Sequence, residues 1–432
     1  MEKLRANHIM KMIYISLVMF FLFAFILAIR PLVGLATILL TATAIFYYRW
    51  ESGNWWNPVF FNPFILGLYC YFALQAFSLF YTHNLPQGWS MFQTDLGIIV
   101  LPIAVRYGNL VNQQVFGKCM RAFVYMLIMA TATALIYGLV EFARTGDPGS
   151  FFYHRLVGIY SGHAIQFSVM VFAALLFLID ELKNRQTLHK KGWIVFMILY
   201  LSLFLFLLSS KLVIIIYFLY LVYLFTLTKS FIRKKGLRFS GLIALSLLVT
   251  VVYLTNTPFR QRVKEAMSGS EFLFRQQKFS PEDYFNGVQF RLVNWRFVYE
   301  ILNERQAWIT GVTPGDSQEV LAEKYKSENL FAGGVGENKT GYLEYHSHNQ
   351  FLQAVLESGL PGLLFFMIAC VGLIILAIKS QDRSFIAYTV LLLCNCFTDA
   401  PLRTQYGIIL FVFFPLFMEA GRQKLSVPPQ LL

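Results

Sequence analysis

The feature that most constrains this chain is a succession of apolar runs, most of them about as long as a bilayer is thick. A membrane-spanning helix needs about 20 mostly apolar residues, somewhat fewer inside a bundle. In hydrocarbon the backbone must satisfy its own hydrogen bonds, which selects helices. Twelve runs qualify, near 11–29, 32–48, 59–81, 94–105, 119–142, 161–182, 193–208, 211–228, 239–255, 350–378, 384–399 and 404–420. The fourth is short and the tenth long. Charged residues make up 14% of the chain, against about 25% in a soluble domain. The sequence therefore predicts an all-α polytopic membrane protein of about 12 transmembrane helices. An ordinary soluble enzyme and a disordered or fibrous chain are excluded.

Basic residues orient these spans. The opening Met1-Glu2-Lys3-Leu4-Arg5 reads as the start of an uncleaved first span, because no small-residue cleavage site follows Ile29-Arg30-Pro31. With that end inside, 20 of the 36 Lys and Arg fall on cytoplasmic segments and five on short outer loops. The other 11 belong to one long loop, 256–349, and long loops escape the positive-inside rule. Both termini are then expected in the cytoplasm and the long loop outside. The chain divides accordingly into 1–255 with spans one to nine, 256–349 as an outer loop domain, and 350–432 with spans ten to twelve.

The net charge of +13 does not point to nucleic acid, since basic residues flank apolar runs instead of forming one soluble patch. Cys70, Cys119, Cys370, Cys394 and Cys396 include no CxxC pair, so neither a zinc site nor a disulfide framework is expected. The long loop holds 12 of the 23 acids and is broken by Pro258, Pro281 and Pro314. Within it, 288–304 has helical apolar spacing at Val288, Leu292, Trp295, Val298 and Leu302.

Four polar clusters call for an explanation. Where the long loop re-enters the membrane, Tyr345-His346-Ser347-His348-Asn349-Gln350 precedes Glu357-Ser-Gly-Leu-Pro-Gly362. Histidine titrates near neutrality and can take a proton from a hydroxyl; the plain alternative is that His and Asn cap the tenth helix. Arg291 and Arg296 lie five apart, so they do not share a helix face. Arg296 has Glu300 at i+4, which leaves Arg291 the better candidate for a phosphate. Lys211 follows Ser209-Ser210 at the outer boundary, where a lysine either snorkels or faces an anionic headgroup. Arg155-Leu-Val-Gly158-Ile-Tyr160-Ser-Gly162-His163 opens the sixth span, and His163 either caps that helix or lines a cleft. Assumed to lie together, Lys211, Arg155 and Arg291 form a cationic funnel beside a histidine base. That arrangement suits a lipid-linked diphosphate donor, with the cations in place of a metal.

The segment His348-Asn-Gln-Phe-Leu-Gln353 followed by Glu357-Ser-Gly-Leu-Pro-Gly362-Leu resembles the HNxxL…ExGxxG signature of the O-antigen ligase and polymerase superfamily. Arg155-Leu-Val-Gly158 resembles its RxxG segment, Arg291-Leu-Val-Asn-Trp295 its RxxxW segment, and Gly311-Val-Thr-Pro-Gly315 its glycine turn. The resemblance covers about 155–400. It implies a GT-C-like fold with a large periplasmic loop in the bacterial inner membrane. The implied activity is an inverting, metal-independent, cofactor-free glycosyltransferase that takes glycan from undecaprenyl diphosphate at the periplasmic face. The implied acceptor is a hydroxyl of lipid A-core in ligases, or another lipid-linked repeat unit in polymerases.

By motif, His348 would be the general base or the residue that orients the acceptor, with His346 two residues before it as the alternative base, and Arg291 would hold the diphosphate with Lys211. His346, Asn349, Arg155, His163 and Arg296 complete the expected binding set. Family members carry Ser-Arg where this chain has Ser210-Lys211, which keeps the charge and loses the bidentate fork. A transporter of lipid-linked oligosaccharide is the reading from another class. It expects ionisable residues inside the spans, and few are seen among the runs.

Overall fold

The computed structural model describes residues 2–57, 60–160, 163–183, 191–227, 276, 278–283, 285, 287–331, 333 and 341–422. The run expected at 239–255 and Gly162 lie outside the described residues. Among the described residues, eight helices of more than ten residues come first: α1 (Glu2–Ile26), α2 (Arg30–Ser52), α3 (Pro63–Ser78), α4 (Leu85–Pro102), α5 (Gln113–Thr145), α6 (Ala164–Lys183), α7 (Lys191–Leu207) and α8 (Lys211–Leu227). The long loop carries α9 (Gly287–Glu304) and α10 (Ser317–Ser327). Then follow α11 (Gln350–Ser380), α12 (Arg383–Thr398) and α13 (Phe414–Arg422).

Helix starts are written into the sequence. Asn62, Asn84, Asn112, Asn349 and Asp382 each accept a backbone N–H from the first turn that follows. Among the described residues, six helices are long and apolar enough to cross a membrane: Arg5–Ile26, Arg30–Ser52, Leu85–Tyr107, Gln113–Thr145, Ala164–Lys183 and Gln350–Ser380. Four more, Pro63–Ser78, Lys191–Leu207, Lys211–Phe225 and Arg383–Thr398, are apolar and shorter. The chain is a multi-pass, all-α membrane protein among the described residues. Three runs differ most from the expected bounds, and the first of them, expected at 11–29, is a helix over Glu2–Ile26. The fourth begins at Leu85 rather than near 94, because Asn84 caps a mixed first half that hydropathy passes over. The last is not one even helix: Gln405–Ile408 leads through a π-helical turn, Ile409–Phe413, into α13.

The bundle is knit by close helix contact. α3 and α11 share the most extensive interface, and glycines set its spacing. A Cβ at Gly372 would sit 2.2 Å from the Phe64 nitrogen, and one at Gly67 would sit 2.4 Å from the Ala369 nitrogen. Small residues let backbones touch where lipid supplies no hydrophobic drive between helices. At the end of the bundle remote from His348, charges are paired. Arg106 reaches Glu419 at 2.8 Å, Arg121 reaches Glu181 at 3.1 Å, and Arg422 contacts both Asp180 and Asp382.

The loop unit has a core of its own, built from Phe279, Phe290, Val293, Phe297, Ile301 and Tyr325, and joined by Val355 and Leu356 of α11. The expected helix at 288–304 is present, but its buried stripe runs through Phe290, Val293, Asn294, Phe297, Val298, Ile301 and Leu302, while Val288 is exposed. Val298 and Leu302 of the expected stripe are thus buried and Leu292 and Trp295 half-buried, while Phe290, Phe297 and Ile301 complete the inner face. α11 breaks at Ser358 (φ −132°) and Gly359 (φ +63°), just before Pro361. The break frees carbonyls, and the glycine turn takes them: Val312 N–H donates to the Leu356 carbonyl at 2.7 Å and Thr313 N–H to that of Glu357 at 3.1 Å. In return, Leu360 N–H donates to the Trp308 carbonyl at 2.7 Å. Asp316 fastens the other side, accepting backbone N–H groups of His83 (3.0 Å) and Asn84 (2.7 Å).

Candidate active site

The re-entry segment is a tight knot of hydrogen bonds. Asn349 caps α11, its Oδ1 accepting from Phe351 N (2.9 Å) and Leu352 N (3.1 Å). Ser347, fully buried, donates to the Asn349 carbonyl at 3.0 Å and to Gln353 Oε1 at 2.8 Å. Between them His348 is held at φ +51°, a left-handed conformation that costs a side-chain-bearing residue about 1 kcal/mol. The knot offsets that cost and fixes the imidazole against Tyr345 and Phe290.

The partner that the sequence reading missed is Asp399. It ends α12, accepts Ala400 N–H at 2.9 Å, and brings Oδ1 to 3.5 Å from His346 Nε2 and 3.8 Å from His348 Nδ1. His346 Nδ1 accepts the His348 backbone N–H at 3.0 Å. Its proton therefore belongs on Nε2, facing the carboxylate; this tautomer follows from the hydrogen bond. With His348 Nδ1 turned to the same oxygen, His348 Nε2 is the nitrogen left for a substrate. Burial alone would raise the Asp399 carboxyl. The contact with His348, with His346 and His163 also near it, outweighs burial and holds the group below the usual carboxylate range. Burial, then the neighbouring His348, pushes the His346 imidazole down to about 3.

Arg291 joins this centre, while Arg296 does not. Arg291 donates Nε to the Thr398 carbonyl at 2.8 Å and Nη1 to that of Gly287 at 2.7 Å, so it ties α9 to the residue before Asp399. Among the described residues nothing accepts from its Nη2, whose donors suit an anion. Arg296 is engaged inside the loop unit, with Glu300 at 2.7 Å, the Gln276 carbonyl at 2.5 Å, and the rings of Phe279 and Phe297 beneath it. Arg155 is 66% exposed and ion-paired to Asp147. Near Arg155 it is the side chains of Tyr153 and His163 that face the centre. His163 accepts Gln166 N–H at 3.4 Å as the α6 cap, and its imidazole feels both Asp399 and His348. Burial pushes it below its ordinary value. Tyr153 faces Arg291.

Lys211 opens α8. Tyr220 and Ser384 meet at 2.8 Å, and the Arg383 guanidinium lies over Tyr223, so α8 and α12 run antiparallel. Lys211 is thus at the same end of the bundle as Asp399, on the order of 9 Å deeper along the axis by helical rise. Arg403 is the other unforeseen residue: its Nη1 meets Glu357 Oε1 at 2.5 Å, and its charge acts on His346. The only signal in the sequence was an acid and a base bracketing Pro401 between two apolar runs.

Chemically, one nitrogen base backed by an ionised carboxylate, with a guanidinium beside it, can take a proton from a hydroxyl and hold an anion. The ligand atoms of His346, His348 and Asp399 lie within 4.8 Å of one another, so this trio could also grip a divalent cation.

The family model described as O-antigen ligase matches residues 195–367. That stretch contains Lys211, Arg291, Arg296, His346, His348, Asn349 and Glu357, and leaves out Arg155, His163, Asp399 and Arg403. No curated protein matches the chain. Over residues 195–367 this membrane protein is thus similar to the O-antigen ligase family, which supports the ligase and polymerase superfamily.

Proposed function

We propose that this protein is an O-antigen ligase: an inverting, metal-independent glycosyltransferase moving a glycan from undecaprenyl diphosphate to a hydroxyl of lipid A-core oligosaccharide. The reading includes a twelve-span, GT-C-like bundle in the bacterial inner membrane, both termini cytoplasmic and the site periplasmic. The bias of basic residues in the sequence supports that orientation. The observation that carries the chemistry is His348 Nδ1 facing the buried Asp399, with Arg291 locked to the adjoining Thr398.

In this mechanism His348 Nε2 takes the proton of the acceptor hydroxyl as its oxygen attacks the anomeric carbon. The new C–O bond forms as the bond to the diphosphate breaks, and the electron pair leaves with the diphosphate. One displacement inverts the carbon. Asp399 stabilises the imidazolium and fixes its tautomer, a role that leaves the carboxylate ionised throughout. Arg291 and Lys211 offset charge growing on the departing diphosphate. His346 and Asn349 set the position of His348, and His163 lines the side of the cleft.

The test is transfer by purified protein from undecaprenyl-diphosphate-linked glycan, with lipid A-core in one tube and only further donor in the other. Product on lipid A-core alone is expected. Lengthened undecaprenyl-linked chains instead would make the protein a repeat-unit polymerase. Silence in both tubes with both substrates bound would favour transport of lipid-linked oligosaccharide, a reading that the buried acid Asp95 of α4 keeps open.

A further inference from the structure

Below the re-entry knot, α3, α4, α11 and the Pro401–Arg403 turn enclose a small polar cavity lined by Tyr71, Gln75, Asp95, Gln350, Glu357 and Arg403. It has room for about one water molecule. Glu357 needs nothing further. One of its oxygens takes Arg403 Nη1 (2.5 Å), Gln353 Nε2 (2.7 Å) and Ser317 Oγ (3.4 Å), and the other takes Gln75 Nε2 (3.1 Å). Asp95 is the opposite case. It is 6% exposed, and among the described residues no side chain or backbone group donates to it. Tyr71 Oη and Gln75 Oε1, both on buried side chains, border the same cavity and have no partner.

The charges decide what the cavity holds. Glu357 and Arg403 are the charged groups that face Asp95. α3 contributes the uncharged Tyr71 and Gln75, and Arg106, beyond the end of α4, is paired with Glu419 at the remote end of the bundle. One guanidinium already neutralised by Glu357 leaves an ionised Asp95 as a desolvated charge without a donor, which a membrane bundle does not tolerate. A single small positive charge balances the cluster.

We infer that Asp95 is a proton-binding site: its carboxyl is held protonated in this cavity, hydrogen-bonded through one water to Tyr71 and Gln75. The water accepts from the Asp95 and Tyr71 hydroxyls and donates to Gln75 Oε1, which satisfies all three groups at once. The site is separate from the transfer centre, and a sodium ion is the competing occupant.

Infrared spectroscopy of the purified full-length protein tests this without any activity readout, by the carbonyl stretch of a protonated carboxylic acid. The difference between wild type and Asp95→Asn near neutral pH is expected to show that band, shifted in heavy water. The band should be unchanged when sodium chloride replaces choline chloride. Asp95→Asn keeps the side-chain volume, and an unchanged melting temperature shows that the variant is folded. If the variant misfolds, the wild-type band alone is followed in heavy water and with sodium. Absence of the band would overturn the proton, and its collapse on adding sodium would assign the cavity to that ion instead. His348→Ala should retain the band whether or not it transfers glycan, so failure of the proton site and failure of the transferase reading stay distinguishable.

Discussion

Helix α9 of the loop unit and helix α3 of the bundle bury their residues on different terms. α9 puts Phe290, Phe297 and Ile301 inside and keeps Tyr299 and Asn303 at the surface, as a helix against water does. α3 buries Phe64, Leu68 and Tyr71, yet leaves Leu66 and Phe77 just as apolar on its outer side. In the loop unit, removal of apolar area from water drives packing. In the bundle, lipid is as apolar as leucine, so fit, close backbone contact and buried polar pairs decide association. The site lies where the two regimes meet: His348 and His346 at the edge of the loop unit, Asp399 at the end of a bundle helix, and Arg291 tying one to the other.

The comparison can be broken most severely at the α3–α11 crossing. Gly372→Leu drives a side chain into the Phe64 backbone, and we expect the bundle not to assemble, read as loss of the monodisperse peak in size-exclusion chromatography. Phe297→Ala empties the loop core and is expected to cost that unit about 3–5 kcal/mol. Amide exchange should rise throughout α9 and α10 with the far end of the bundle unchanged. Uniform loss of protection would mean that the two regions are not separable.

Next comes acid. His346 lies below its ordinary value, so the unfolded chain binds its proton first. Stability from the neutral imidazole is present above about pH 6.5 and is lost as pH falls below that. Asp399, also depressed, adds a loss only at more acidic pH, below the unfolded carboxyl value of about 4. The melting temperature should therefore fall from pH ~7.5 to ~5, and His346→Asn should remove most of that slope; a flat profile in the wild type contradicts a buried neutral imidazole. The smallest effect belongs to lipid-facing residues. Ile38, 65% exposed on α2, should tolerate Ala within about 0.5 kcal/mol, well below the change at Phe297.

Local patterns carried much of this architecture. The runs expected at 350–378, 211–228 and 384–399 correspond to Gln350–Ser380, Lys211–Leu227 and Arg383–Thr398, because apolar length and Asn or Asp caps are written in neighbouring residues. The loop helix at 288–304 was legible for the same reason, though its buried face was not, since both faces are apolar. What stayed hidden is pairing across the chain. Gln75 meets Glu357, Arg403 meets Glu357, and Asp399 meets the two histidines, contacts that no periodicity announces. Asp95 sat at the edge of an expected span, beside polar residues that made it look like a boundary. Of the candidate residues, Arg291, His346 and His348 gather at one centre, with His163 facing it, while Arg155 and Arg296 are engaged elsewhere.

The most direct measurement is single-turnover transfer by His348→Ala and Asp399→Asn beside wild type, with donor binding measured on the same samples. The account predicts that His348→Ala loses about 10²–10⁴-fold in rate with donor affinity nearly unchanged. Asp399→Asn should follow in the same direction through a misplaced tautomer. Wild-type turnover in His348→Ala would contradict it.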